Sequence, residues 1–196
     1  MIASRLVIIM SFVSIVLFPG CSSNLKYPSR RLTPLSQSKA HSSRTKHGVT
    51  VSVESFDADK QLYYFAKETP RLHPIQIAVD NSSDTTWLLH PDNINLPLAR
   101  YSTVTKYYKA NPWTSVGLGI VLLPVGLTHG VLSYCANRII ETDINEKMLN
   151  DEAYIEPDVQ HNSLIFANSQ SELDHFNITL VDADDPSHTL IFNLGA

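Results

Sequence analysis

No aspartate or glutamate occurs before Glu54. Acid is confined to the later part of the chain, and the whole carries only two cysteines, Cys21 and Cys135. A disulfide-stapled scaffold is therefore excluded, and the core has to come from apolar burial. Local catalytic and metal-binding signatures are also missing. There is no HExxH, CxxC, GxSxG, glycine-rich phosphate loop or EF-hand pattern. None of the eight histidines pairs with another at the i,i+2 or i,i+4 spacing of a local metal site. These absences leave no motif-based case for an enzyme and no expected cofactor. With 43% hydrophobic and 17% charged residues, the chain reads as globular rather than disordered.

What is present begins at the N-terminus. Arg5 precedes an uncharged apolar run, Leu6–Phe18, which is followed by Pro19, Gly20 and Cys21. A basic start, a short apolar stretch and a small residue before the cut are the three parts of a secretory signal. The 13-residue run is short for a span, which needs about 20 residues. With Cys21 directly after Gly20, the segment resembles a bacterial lipoprotein signal, although Phe18 and Pro19 differ from the usual aliphatic and small residues. The resemblance covers residues 1–21. It implies cleavage after Gly20, lipid on Cys21, and, because Ser22 is not aspartate, residence on the periplasmic face of the outer membrane. Two or more acyl chains give a stable anchor, whereas one binds only marginally.

Charge divides the remainder. Residues 22–46 carry six Lys and Arg and no acid, whereas residues 47–196 carry eight Lys and Arg against nineteen Asp and Glu, a net charge of −11. The basic stretch is rich in Ser and Pro and lacks periodicity, so it reads as a flexible linker. Its reach is about 28 Å as a coil. Contact with anionic headgroups, with an acidic partner or with the acidic body itself are the alternatives to a merely solvated linker. An acidic body in an exported protein argues against nucleic-acid binding.

From residue 47 the pattern turns to period two. Val49, Val51 and Val53 share one face, as do Ile75, Ile77 and Val79, then Phe176, Ile178 and Leu180, then Leu190, Phe192 and Leu194. Gln61–Lys67, Thr85–His90 and Ser163–Asn168 read as further strands. Pro91-Asp92-Asn93 reads as a strand end, and Ile94–Tyr108 as short extended pieces. Turn residues cluster at 81–84 and 183–187. The expected fold is mainly β (α+β): an antiparallel Ig-like β-sandwich over residues 47–196, with an apolar, partly helical insertion at about 112–151.

Within that insertion, Trp113–Ala136 holds no Asp, Glu, Lys or Arg. Pro124 and four glycines interrupt it as a simple span. Gly119, Gly126 and Gly130 are candidates for close helix packing, the last two forming GxxxG. The segment reads as buried core, as an interface with a partner or a second copy, or as a membrane-dipping piece. Asn137–Asp151 follows with the spacing of an amphipathic helix. Cys135 reads as a small buried hydrophobe. Together these features point to a lipid-anchored, non-enzymatic envelope protein with a structural or assembly role, in a complex such as secretion machinery. The alternative is a carrier of a small ligand or lipid.

Overall fold

The computed structural model describes residues 27–109, 123–168 and 173–195. Eight strands form two four-stranded antiparallel sheets. The first has the order β1-β2-β3-β6: β1 is Ser42–Lys46, β2 Val49–Ser55, β3 His73–Asn81 and β6 Val159–Ala167. The second has the order β5-β4-β7-β8: β4 is Trp87–Ile94, β5 Ala153–Ile155, β7 Phe176–Asp182 and β8 Thr189–Leu194. The order β2-β3-β6 is that of strands A-B-E in the immunoglobulin arrangement, and β4-β7-β8 that of C-F-G. β5 lies beside β4, and β1 is an extra strand outside the A position.

The alternating strands behave as their pattern predicts. Val49, Val51, Val53, Ile75, Ile77 and Val79 meet Leu89, Ile178, Leu180 and Phe192 between the sheets, all essentially inaccessible. Trp87 is buried in the same cluster. Its Nε1 donates to Ser83 Oγ (3.0 Å), which in turn donates to Asn81 Oδ1 (2.6 Å). The buried Asn81 amide donates to the carbonyls of Thr85 (2.8 Å) and Ile155 (2.9 Å). The 81–84 turn is thus a satisfied polar network that joins the ends of both sheets.

The chain departs from its sequence pattern in four places. Gln61–Lys67 lies mostly in a helix, α1 (Ala58–Phe65). Asp57 caps it, accepting from the Lys60 amide at 2.8 Å, and Gln61, Tyr64 and Phe65 form its buried stripe. Aromatic composition suggested a strand there, but the i,i+3,i+4 spacing prevails. A second helix, α2 (Tyr101–Tyr108), replaces the extended pieces expected up to Tyr108. Its β-branched Thr103, Val104 and Thr105 are poor helix formers, so packing of Val104, Thr105 and Tyr108 has to hold it. β4 runs through Pro91 to Ile94, with the register shifting between Leu89 and Ile94. That irregularity accommodates a proline that cannot donate to the ladder. Finally, Ser42–Lys46 is a strand rather than linker. His47-Gly48 closes a two-residue hairpin onto β2, both residues having positive φ. Hydroxyl pairs Ser43–Ser52 (2.9 Å) and Thr45–Thr50 (2.8 Å) link β1 to β2.

The third helix, α3 (Leu123–Lys147), fills the expected helical insertion between β4 and β5. With α1 and α2 it forms a third layer on the outer face of the first sheet. There Leu164 and Phe166 of β6 point outward, opposite Ile165 and Ala167, which point between the sheets. Phe166 meets Phe65 (5.8 Å between ring centres) and Tyr108 (6.0 Å), and Phe65 meets Tyr108 at 4.7 Å. Phe166→Ala is expected to cost about 3–5 kcal/mol in chemical denaturation. Leu62→Ala, at a half-exposed site on α1, should stay within about 0.5 kcal/mol.

Candidate functional site: a clip between the N-terminal arm and the helical layer

The expected site residues Gly20, Cys21 and Gly119 lie outside the described residues. Gly126 and Gly130 fall one turn apart on α3, but the described side chains of that helix begin at Ser133. Cys135 is exposed on α3, not buried as its apolar neighbours suggested. Its neighbours Tyr134 and Ile139 are also exposed, at 64% and 51%. The apolar run therefore does not continue into a buried core at this end.

The polar cluster that sequence reasoning missed lies at the C-terminal half of α3. Asp143 and Lys147, one turn apart, form an ion pair with side chains only 4% and 7% exposed. The Tyr27 hydroxyl donates to Asp143 Oδ2 (2.7 Å), and Ser29 Oγ donates to Oδ1 (3.0 Å). The Lys147 ammonium also lies 5.9 Å from the ring centres of Tyr64 and Phe65. Burial pulls the Lys147 ammonium below its ordinary value, and Asp143 pulls it back. Burial, reinforced by Asp143, drives the Tyr27 hydroxyl far above its ordinary value. It therefore stays a donor at any physiological pH. Burial pushes the Tyr108 hydroxyl up to about 12.

The arm continues from this clip across the outer face of the first sheet. The Thr33 hydroxyl meets the Tyr64 hydroxyl at 3.1 Å, and the Thr33 carbonyl accepts from Gln76 Nε2 at 2.8 Å. The Leu35 amide donates to Asn162 Oδ1 (3.1 Å), its carbonyl accepts from Gln160 Nε2 (3.2 Å), and its side chain is buried. Arg30 stacks on the exposed Tyr63 ring at 3.7 Å. The arm thus docks on its own body from Tyr27 onward, and the flexible-linker expectation fails for residues 27–46. The physical reason is that outward-facing Gln76, Gln160 and Asn162 offer amide partners to an arm with no hydrophobic periodicity. Hydroxyl and amide pairing of this kind leaves no pattern in the sequence. Tyr27, Ser29 and Leu35 therefore had nothing to mark them among the other uncharged residues of the stretch.

Three other places gather polar or titratable side chains or form open clefts. The Asp182–His188 turn is held by its own bonds: Asp182 Oδ1 accepts from the Asp184 amide (2.9 Å), and His188 Nδ1 meets Asp182 Oδ2 (3.0 Å). These contacts hold the Asp182 carboxyl below its usual range. His175 lines an open cleft of about 540 Å³ with His41, Arg44 and Asp174, but His41 Nδ1 is already taken by the Ser55 amide (3.1 Å). A second open cleft, of about 520 Å³, lies where β4 loses its β5 partner and is lined by Ile94, Leu96, Arg100, Met148 and Leu149. Among the described residues, no group of three or more His, Cys, Asp or Glu side chains is placed to hold a metal ion. No helix among them is long and apolar enough to cross a membrane. In comparisons with protein-family models, curated proteins and solved structures, the chain has no match.

Two predictions follow from burial. Asp143→Ala strands the Lys147 charge in the helical layer and should cost about 3–5 kcal/mol in urea denaturation. Replacing both partners by apolar residues, Asp143→Leu with Lys147→Met, should restore most of that loss. The second concerns His161, whose Nε2 is buried without a hydrogen-bond partner among the described residues. Burial holds its imidazole below the ordinary value of 6.5. As pH falls through that value the unfolded chain takes up the proton first, so stability drops on the acid side. Thermal melts from pH 7.5 to 5 should show that slope, and His161→Gln should flatten it.

Proposed function

We propose that the chain is a lipid-anchored envelope protein on the periplasmic face of the outer membrane. Its sandwich serves as a non-enzymatic binding or assembly module within a larger envelope complex, for which secretion machinery is a reasonable class. The observation that carries this reading is the run Leu6–Phe18 followed by Gly20 and Cys21. Several structural features favour a binding role over catalysis. The polar cluster at Asp143 and Lys147 is closed by the arm rather than open to a substrate. The sandwich also presents edge strands, which partner proteins commonly extend by main-chain pairing. β5 is only three residues long and carries Tyr154 at 57% exposure, with the exposed Val159 at the start of β6. An edge as short as β5 limits aggregation while leaving room for a defined partner.

The test is fractionation and acyl labelling of the full chain in a diderm host. Wild type is expected to incorporate labelled palmitate and to sediment with outer membranes. Cys21→Ser is expected to lose the label and leave the outer-membrane fraction. A Cys21→Ser protein that sediments unchanged, or a wild type without acyl label, overturns the anchor. Crosslinking in native membranes then separates the two roles. Recovery of a defined envelope protein supports assembly, whereas a monomer that yields an extractable small ligand supports a carrier.

A further inference from the structure

The lipid anchor and the helical layer are joined by a very short piece of chain, which bears on how the body sits on its membrane. Six peptide steps separate Cys21 from Tyr27. Fully extended they span about 20 Å. Tyr27 is pinned to Asp143 on α3, with Ser29 beside it. The Cys21 backbone can therefore lie no farther than about 20 Å from that of Tyr27, and so within about 30 Å of the Asp143 carboxylate, rather than the about 85 Å from the body that a free 25-residue tether would allow.

Asp143 ends a row on α3. Ile139 and Cys135 precede it at four-residue intervals, each step advancing about 6 Å along the same side of the helix. Asp143 is buried in that row where Tyr27 and Ser29 cover it. Ile139 and Cys135 are exposed, with Tyr134 and Arg138 adjoining them. The uncovered part of the row thus begins one helical turn from the point where the anchor arrives. Arg30 and Arg31 are exposed on the arm just beyond the clip. The exposed face of α3 around Ile139 thus pairs large apolar side chains with the Arg138 guanidinium, the combination that suits the boundary between anionic headgroups and acyl chains. The far sheet is different: β8 turns Thr189, Ile191 and Asn193 outward on the side of the sandwich away from α3.

We infer that the exposed face of α3 around Tyr134, Cys135 and Ile139 lies against the bilayer that holds Cys21, so that the second sheet faces away from it. This rests on the proposed lipid anchor. It makes the clip an orienting device: the arm converts a point attachment into a fixed pose, and β5, β4, β7 and β8 are presented to partners.

The lone thiol at Cys135 supplies the test, since the anchoring cysteine would be blocked by its lipid. The mature, full-length lipidated protein is labelled at Cys135 with an environment-sensitive fluorophore. It is reconstituted into phosphatidylcholine–phosphatidylglycerol vesicles with or without a headgroup-nitroxide lipid. A Cys135→Ser, Thr189→Cys protein labelled on β8 is the control. The expected result is nitroxide-dependent loss of fluorescence at Cys135 and none at position 189. Protein that is vesicle-bound but unquenched at Cys135, or quenched equally at both positions, overturns the orientation and leaves the anchor standing. Protein that does not bind the vesicles overturns both. Protection of the Cys135 label by a second copy, seen as concentration-dependent crosslinking through that face, also overturns the orientation.

Discussion

The fold depends on the two-faced apolarity of β6. Between Ser163 and Ala167 every residue is buried, odd positions turning between the sheets and even positions turning outward. A sandwich strand with one wet face would leave Leu164 and Phe166 in water. Burying such side chains is worth about 1.5–3 kcal/mol each, so this strand requires a third layer. α1, α2 and the C-terminal half of α3 supply it, and the first two are individually weak helices. α1 and α2 have eight residues apiece, too short to persist alone. The cross-braces fit that dependence. Lys109 pairs with Glu141, and the Tyr101 hydroxyl donates to the Glu141 carbonyl at 3.0 Å, tying α2 to α3. Lys67 donates to the Tyr107 carbonyl, tying the segment after α1 to α2. The helical layer is stable because β6 needs covering, and β6 is tolerable because the layer exists.

The same two-facedness explains what the sequence made legible. Strands whose two faces differ in polarity alternate visibly in sequence, and β2, β3, β7 and β8 were readable for that reason, although the arm and the helical layer leave little of the polar face of β2 and β3 in water. A fully buried run such as SLIFA carries no period and announces only that something covers it, without saying what. α1 was legible in principle. Asp57 three residues before Lys60 is a cap, and Gln61, Tyr64 and Phe65 follow at helical spacing, but three aromatics in a row suggested a strand more loudly. α2 was not legible, because its β-branched residues disfavour the state that packing imposes on them. The exposure of Cys135 was hidden for a related reason. An uncharged run looks buried in one dimension, yet a helix turns part of it away from the protein whatever its composition.

Charge asymmetry gave a broader hint than the contacts follow. A basic arm beside an acidic body suggests attraction through salt bridges, but the arm attaches through uncharged groups: Tyr27, Ser29, Thr33 and Leu35. The one carboxylate they reach, Asp143, is already neutralised by Lys147. Geometry accounts for this. Arginine and lysine heads are costly to dehydrate, whereas a tyrosine hydroxyl can follow its ring into an apolar site and donate there. The asymmetry steers the arm toward the body at long range, and neutral donors complete the docking. Arg30 and Arg31 are left exposed, Arg30 lying over Tyr63, so the arm keeps its positive surface after it has bound.

This division has a mechanical consequence if Cys21 carries lipid. Were the arm free, tension on the anchor would reach the body at Ser42, the first residue of edge strand β1. An edge strand paired on one side peels one ladder bond at a time, and the hairpin would be the first element to open. With the arm clipped, tension enters at Asp143 instead. It is then borne by a helix packed on β6, the opposite edge of the first sheet, which pairs with β3 over nine residues and is covered on both faces. The Ser36–Ala40 turn, closed by Lys39 and Ala40 amides on the Ser36 carbonyl, keeps slack between the clip and β1. The buried pair Asp143–Lys147 therefore does more than satisfy two charges. Removing the Tyr27 and Ser29 donors would leave the sandwich intact at rest, yet shift the load to the Thr33 and Leu35 contacts, the last ones before β1.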